Sequence, residues 1–240
     1  MSITRPSLSA LAALAVALAA ASVLMIFFIA PEDADQGLSQ KIFYVHVPIA
    51  LTAYACFGLG AWKALRLLLT RGERYDLESY TGIHQGTIFG ALTLVTGSIW
   101  AKASWGHWWE WGEPTLVSFL IVFLLYCTYQ PMRFSIADPE KQGRYAAVFA
   151  ITAGAFVPLN FVAVRLATPL LHPRVFSRAA GDMPGSMRLT WLVSLVAITL
   201  LFITLCKLEL TSKGARDHLR RLRRQLEARE ENERVFVGAH

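Results

Sequence analysis

The sequence predicts an all-α membrane protein with six transmembrane helices and both termini on the cytoplasmic side. Three observations carry that expectation. Of the 240 residues 55% are hydrophobic and only 17% charged, with a mean hydropathy of +0.43, whereas a soluble domain carries about a quarter charged residues. The apolar residues fall in runs long enough to cross a bilayer, which takes about 20 residues as a helix. Basic residues divide unevenly between the loops at the two ends of those runs, and Lys and Arg concentrate on the cytoplasmic side. One helical bundle fits the length. The expected division is a six-helix membrane domain over 1–207 and a basic cytoplasmic tail over 208–240.

The first helix is expected over 8–30. Ala19-Ala20-Ala21-Ser22 has the small residues of a signal-peptidase site, but the apolar run continues through Phe27 and Phe28, so an uncleaved span is expected. Pro31 ends it, and a polar loop leads to Lys41. The second helix, over 43–69, opens on Tyr44-Val45-His46-Val47-Pro48. Proline suits a first helical turn, because the N–H it lacks has no helical partner there, and this sets His46 at the membrane–water boundary. A charged loop over 71–76 precedes the third helix, over 81–101. Gly82, Gly86, Gly90 and Gly97 lie in it, and four-residue spacings of small residues suit close helix–helix contact.

The fourth helix, over 114–129, follows Glu113-Pro114. Proline is at home in the first turn, and an acid before it complements the helix dipole. The fifth, over 145–164, carries Pro158 and Asn160, and a kink is expected there. The sixth runs over 189–206. The tail beyond it is rich in Arg and Glu and reads as a helix drawn to anionic lipid; no nucleic-acid partner is expected. Cys56, Cys127 and Cys206 all lie in apolar runs with no CxxC spacing, and are expected to pack as small apolar groups.

Alternation of these spans places Arg5, Arg71, Arg74, Arg133, Lys141, Arg144 and the cluster from Lys207 onward on the cytoplasmic face. Lys41, Lys102, Arg165, Arg174, Arg178 and Arg188 fall on the other. That outer face also receives His46, His172 and the stretch Trp105-Gly106-His107-Trp108-Trp109-Glu110-Trp111-Gly112-Glu113-Pro114, which holds four of the chain's seven tryptophans. Tryptophan settles where an apolar phase meets water, so the cluster reads either as an interfacial belt or as a platform for a flat, apolar, partly polar ligand. The two histidines favour the platform. Neutral imidazole is a good ligand for iron, and haem iron takes one ligand on each face. Indole N–H groups and the outer-loop arginines are candidate partners for propionates. His107 is a rival ligand inside the loop, and His84 falls near the other end of its helix.

Trp105-Gly106-x-x-Trp109-x-Trp111, with Tyr44-Val45-His46-Val47-Pro48 upstream, Val95-Thr96-Gly97-Ser98-Ile99-Trp100 leading in and His172 downstream, resembles the WWD family of haem-handling proteins of cytochrome c maturation, and within it the CcmC branch. The resemblance covers about 8–206 and omits the tail. It implies a multi-pass protein of the bacterial inner membrane that binds haem b transiently at the periplasmic face. The axial ligands would be His46 and His172, with Trp105, Gly106, Trp108, Trp109, Trp111 and Glu113 around the cofactor. It implies delivery to a CcmE-like haem chaperone, alongside a CcmD-like small membrane protein and CcmA/CcmB-like ABC transporter subunits. It implies a carrier rather than an enzyme, one that promotes covalent attachment of haem to its chaperone. One departure stands out: the family's acid after the last tryptophan is replaced by Gly112, with Glu110 and Glu113 nearby.

Two other classes remain. A scaffold subunit would use the tryptophan loop to dock a partner and would carry no chromophore. A b-type cytochrome moving electrons would need histidines at mid-bilayer on facing helices, and this sequence has none there.

Overall fold

The computed structural model describes residues 5–34, 36–166, 171–172 and 183–238. Six α-helices follow one another: α1 (Arg5–Phe28), α2 (Phe43–Thr70), α3 (Arg74–Trp105), α4 (Pro114–Phe134), α5 (Pro139–Leu166) and α6 (Gly185–Gly238), with a short 3-10 helix (Leu38–Ile42) leading straight into α2. No strand occurs among the described residues. Five of the helices are long and apolar enough to cross a membrane. The exception is α3. Its polar residues Ser79, Thr81, Gln85 and Thr93 are buried against neighbouring helices, so its composition answers to protein rather than lipid.

Packing centres on α2, which lies against α3, α5 and α6, while α1 packs on α6 and α4 on α5. The α2–α3 approach is as close as its glycines allow. A Cβ on Gly60 would lie 2.6 Å from Ile83 Cγ1, and one on Gly82 would lie 3.2 Å from the Gly60 nitrogen. The Ser79 hydroxyl donates to the Gly60 carbonyl across this seam at 2.9 Å. Farther along, Phe57 of α2 stacks on Tyr126 of α4, centroids 4.0 Å apart and 1° from parallel. The face Ala146, Ala147, Ala150 and Ala153 of α5 completes this core. Small residues on one helix thus receive large rings from two others, the interdigitation that dense interiors require.

The helix ends differ from the sequence expectation. α3 starts at Arg74 and runs through Trp105, because Arg71 alone, in the left-handed region at φ 55, closes α2 and turns the chain. α2 starts at Phe43 as expected, which makes Pro48 its sixth residue, just past the first turn. His46 is the fourth residue of the helix, in its first turn. α4 continues to Phe134, and α5 extends as one helix from Pro139 through Pro158 to Leu166. α6 does not end near Cys206 but runs unbroken to Gly238. Cys56 is fully buried, whereas Cys127 and Cys206 are only partly so.

At one end of the bundle ion pairs stitch the helices. Arg133 clasps Asp76 with both guanidinium nitrogens at 2.7 and 2.5 Å, Lys63 meets Glu78 at 2.6 Å, and Glu209 of α6 accepts from Gln85 at 2.6 Å and pairs with His84 at 2.9 Å. The other end gathers the aromatic residues.

Candidate functional site at the tryptophan end

The last turns of α3 form the spine of the site. α3 stops at Gly106, whose φ of 82 is left-handed and whose N–H reaches the Lys102 carbonyl at 3.2 Å. A glycine takes that conformation without steric cost, so Gly106 acts as a helix cap. Lys102 Nζ folds onto the Gly106 carbonyl at 2.7 Å. Trp105 therefore belongs to the helix, and the loop proper begins after it. Trp100 meets Trp105 edge-on with centroids 4.9 Å apart, and its indole N–H donates to Gln36 Oε1, in the segment between α1 and α2, at 3.2 Å.

His46 packs on the same stretch of α3. Its Nδ1 lies 2.9 Å from Thr96 Oγ1. The Thr96 hydroxyl has a single proton, and it is directed at the Leu92 carbonyl 2.8 Å away. With that proton on the carbonyl, Thr96 accepts from the histidine, and this is the tautomer that carries the imidazole proton on Nδ1 and leaves the Nε2 lone pair for a metal. Gly97 makes the slot for the ring: a Cβ there would sit 3.0 Å from His46 Cε1.

His172 meets the edge of Trp100, with ring centroids 5.9 Å apart, and lies within electrostatic reach of His46. Thr96, Gly97 and Trp100 share one face of α3 at helical spacing, so the two histidines, 126 positions apart in sequence, flank one short stretch of helix. Glu113 is fully buried. One of its oxygens accepts from the Thr115 N–H at 3.3 Å as the N-cap of α4, and the other accepts from the N–H groups of Leu171 and His172 at 2.9 and 3.1 Å. Glu113 thus faces inward, onto the start of α4 and the backbone of residues 171 and 172.

The remaining loop residues make an exposed aromatic surface. Trp108 and Trp111 are 58% and 73% exposed, and Trp109 meets Trp111 with centroids 5.8 Å apart. The Trp109 indole N–H is buried with no hydrogen-bond partner among the described residues. Glu110 turns back on its own loop, accepting from the Gly112 N–H at 2.9 Å and facing His107 at 3.4 Å. The His107 Nε2 is buried with no hydrogen-bond partner among the described residues. His84 lies sixteen residues before Trp100 on α3, about 24 Å along the axis, and belongs to the far end. Of the arginines expected to face propionates, Arg165 and Arg188 are exposed, while Arg174 and Arg178 lie outside the described residues. A recess of about 180 Å³, lined by Gln36, Trp100, Ser104, Trp105 and Leu171, sits beside His172.

Thr96, Gly97, Trp100 and Gln36 were not among the expected site residues. The signal lay in the 95–100 segment, where Thr96 and Trp100 are one helical turn apart. Their histidine partners are remote in sequence, so no local pattern pairs them.

Comparison with known proteins follows the geometry. The family described as Heme exporter protein C matches residues 1–225. The Heme exporter protein C of Bradyrhizobium diazoefficiens is 32% identical over 195 residues, covering 78% of this chain and 74% of its own length. That of Paracoccus denitrificans is 32% identical over 180 residues, 74% of each chain, and that of Escherichia coli K12 is 31% identical over 133, covering 55% of this chain and 54% of its own. A match over nearly the whole membrane region, on a helical bundle whose aromatic end joins His46, His172 and the tryptophan loop, establishes that the chain belongs to the haem exporter protein C family.

Proposed function

We propose that this protein holds haem b at the tryptophan end of the bundle, with His46 and His172 as axial ligands, and hands it to a periplasmic haem chaperone. Family membership carries the coarser statement: a multi-pass membrane protein of haem handling in cytochrome c biogenesis. The observation that supports the finer reading most is the pairing of His46 with Thr96, which leaves Nε2 as the ligating nitrogen on the side of the bundle that also presents His172. Among the described residues no three His, Cys, Asp or Glu side chains gather. A bare ion would find too few ligands here, whereas haem brings four nitrogens of its own. The recess is smaller than the ~300 Å³ at which small-molecule sites begin, which points to the exposed rings of Trp108 and Trp111 as the seat of the macrocycle. The orphaned Trp109 N–H suits an acceptor such as a propionate.

In this reading α3 is the sixth span, the termini are cytoplasmic, the tryptophan end faces the periplasm across the bacterial inner membrane, and 208–240 is an extramembrane tail. Haem is cargo, the protein is a carrier, and its partners are a CcmE-like chaperone, a CcmD-like small protein and CcmA/CcmB-like ABC transporter subunits. The test is transfer. Protein purified from haem-replete cells carries chromophore and passes it to added apo-chaperone, followed by haem staining of the chaperone band. A protein that captures the chaperone yet never carries haem would be a scaffold, and the proposal would fail.

A further inference from the structure

We propose that Glu113 is a positioning residue, a buried carboxylate that ties the N-terminus of α4 to the backbone of residues 171 and 172 and so sets how His172 is presented. The proposal rests on the reading of His172 as a haem ligand. A carboxylate taken out of water persists only where its oxygens are filled, and three backbone N–H groups do this here. Two of them belong to a loop 58 and 59 residues away in sequence. Capping alone does not explain a glutamate. Asp, Asn and Ser are the favoured N-caps, and a shorter side chain reaches the N–H of the second helical residue without help. Pro114 has no N–H, so nothing in the first position of α4 competes for the carboxylate. The second oxygen is free to span to the loop, which is the reach that the extra methylene of glutamate supplies.

The consequence falls on His172. Its backbone N–H is held by Glu113 and its ring lies T-shaped to Trp100 with centroids 5.9 Å apart, so backbone and ring are each constrained. Glu113 also stands two residues after Trp111 in the exposed loop. The aromatic surface and the His172 loop therefore share one anchor. Gly112 carries no side chain at the position after Trp111, and Glu113, one residue on, is fully buried.

Glutamine tests this, because it has one acceptor oxygen where the carboxylate has two. In Glu113→Gln either the cap or the tether meets an NH2 group and is lost. Full-length protein in lipid nanodiscs is compared as wild type, Glu113→Gln, Glu113→Asp and His172→Ala. Without haem, amide exchange in the peptide containing Leu171 and His172 is expected to be at least tenfold faster in Glu113→Gln. It is expected to be similarly fast in Glu113→Asp, which retains the cap and a near wild-type thermal midpoint and so controls for folding. With hemin added, Glu113→Gln and Glu113→Asp are expected to lose six-coordinate low-spin character as His172→Ala does, and free imidazole is expected to restore it in all three. Wild-type exchange and spectrum in both Glu113 variants, with His172→Ala losing the low-spin form, would overturn the positioning role alone. An unchanged spectrum in His172→Ala would instead overturn the ligand reading, and the ligand-setting role with it, whatever the exchange shows.

Discussion

Thr96 is the residue on which the chemistry of His46 turns. A hydroxyl that spends its proton on a backbone carbonyl accepts from Nδ1 and orients the ring, and loss of such outer partners typically weakens metal binding about 10–100-fold. Thr96→Val keeps the shape and removes the acceptor, so hemin is expected to dissociate about 10–100-fold faster, while Thr96→Ser stays near wild type. Equal dissociation in Val and Ser variants would remove Thr96 from the account. Gly97→Ala is expected to weaken hemin binding by a different route, since its methyl would stand 3.0 Å from His46 Cε1, and a hemin titration reads it. Local chemistry made His46 legible as a candidate in the sequence. Its partner was not, because Thr96 lies 50 positions away and a threonine in an apolar helix reads as ordinary. Glu113 shows the same limit. Its capping role is written in the Glu-Pro order, but its reach to Leu171 and His172 depends on a fold that brings a distant loop to the start of α4.

Among the elements, α3 carries both the site and the tight seam with α2. The glycine spacing made that close approach readable, and the structure adds its other half in Gly60 and Ser79. Gly60→Val forces a branched side chain into Ile83 across a backbone contact. Overpacking of this kind costs about 1–3 kcal/mol, and a lower thermal midpoint in detergent is the expected result. At the far end Arg133 is buried and bonded to Asp76 through both nitrogens. Asp76→Ala strands that guanidinium and is expected to cost about 3 kcal/mol, the low end for a broken buried pair, because Asp76 itself is partly exposed. Aggregation at unchanged temperature in both variants would contradict this packing scheme. The helix ends were the least readable part of the sequence. Arg71 turns the chain in a conformation few non-glycine residues adopt, and nothing at 189–206 marks a stop, so α6 continues as a helix through its basic residues.

For the whole molecule, the uneven charge and the apolar runs foretold a helical membrane bundle, and five helices have the length and apolarity for it. Composition understated α3 because its polar residues are enclosed by protein. The long apolar run of α6 gives way at Lys207 and Glu209, and farther on Arg223 pairs with Glu227 on the same helix at 2.8 Å. Truncation after Arg216 is therefore expected to leave hemin affinity unchanged while reducing binding to anionic vesicles, read by spectral titration and by flotation. The central claim is that one end of this bundle presents two histidines to a single haem. The most direct measurement is the visible spectrum of the purified, hemin-loaded full-length chain beside His46→Ala and His172→Ala. The account predicts a six-coordinate low-spin Soret band in the wild type that each substitution shifts and free imidazole restores; a wild type without bound haem, or a band indifferent to both substitutions, would contradict it.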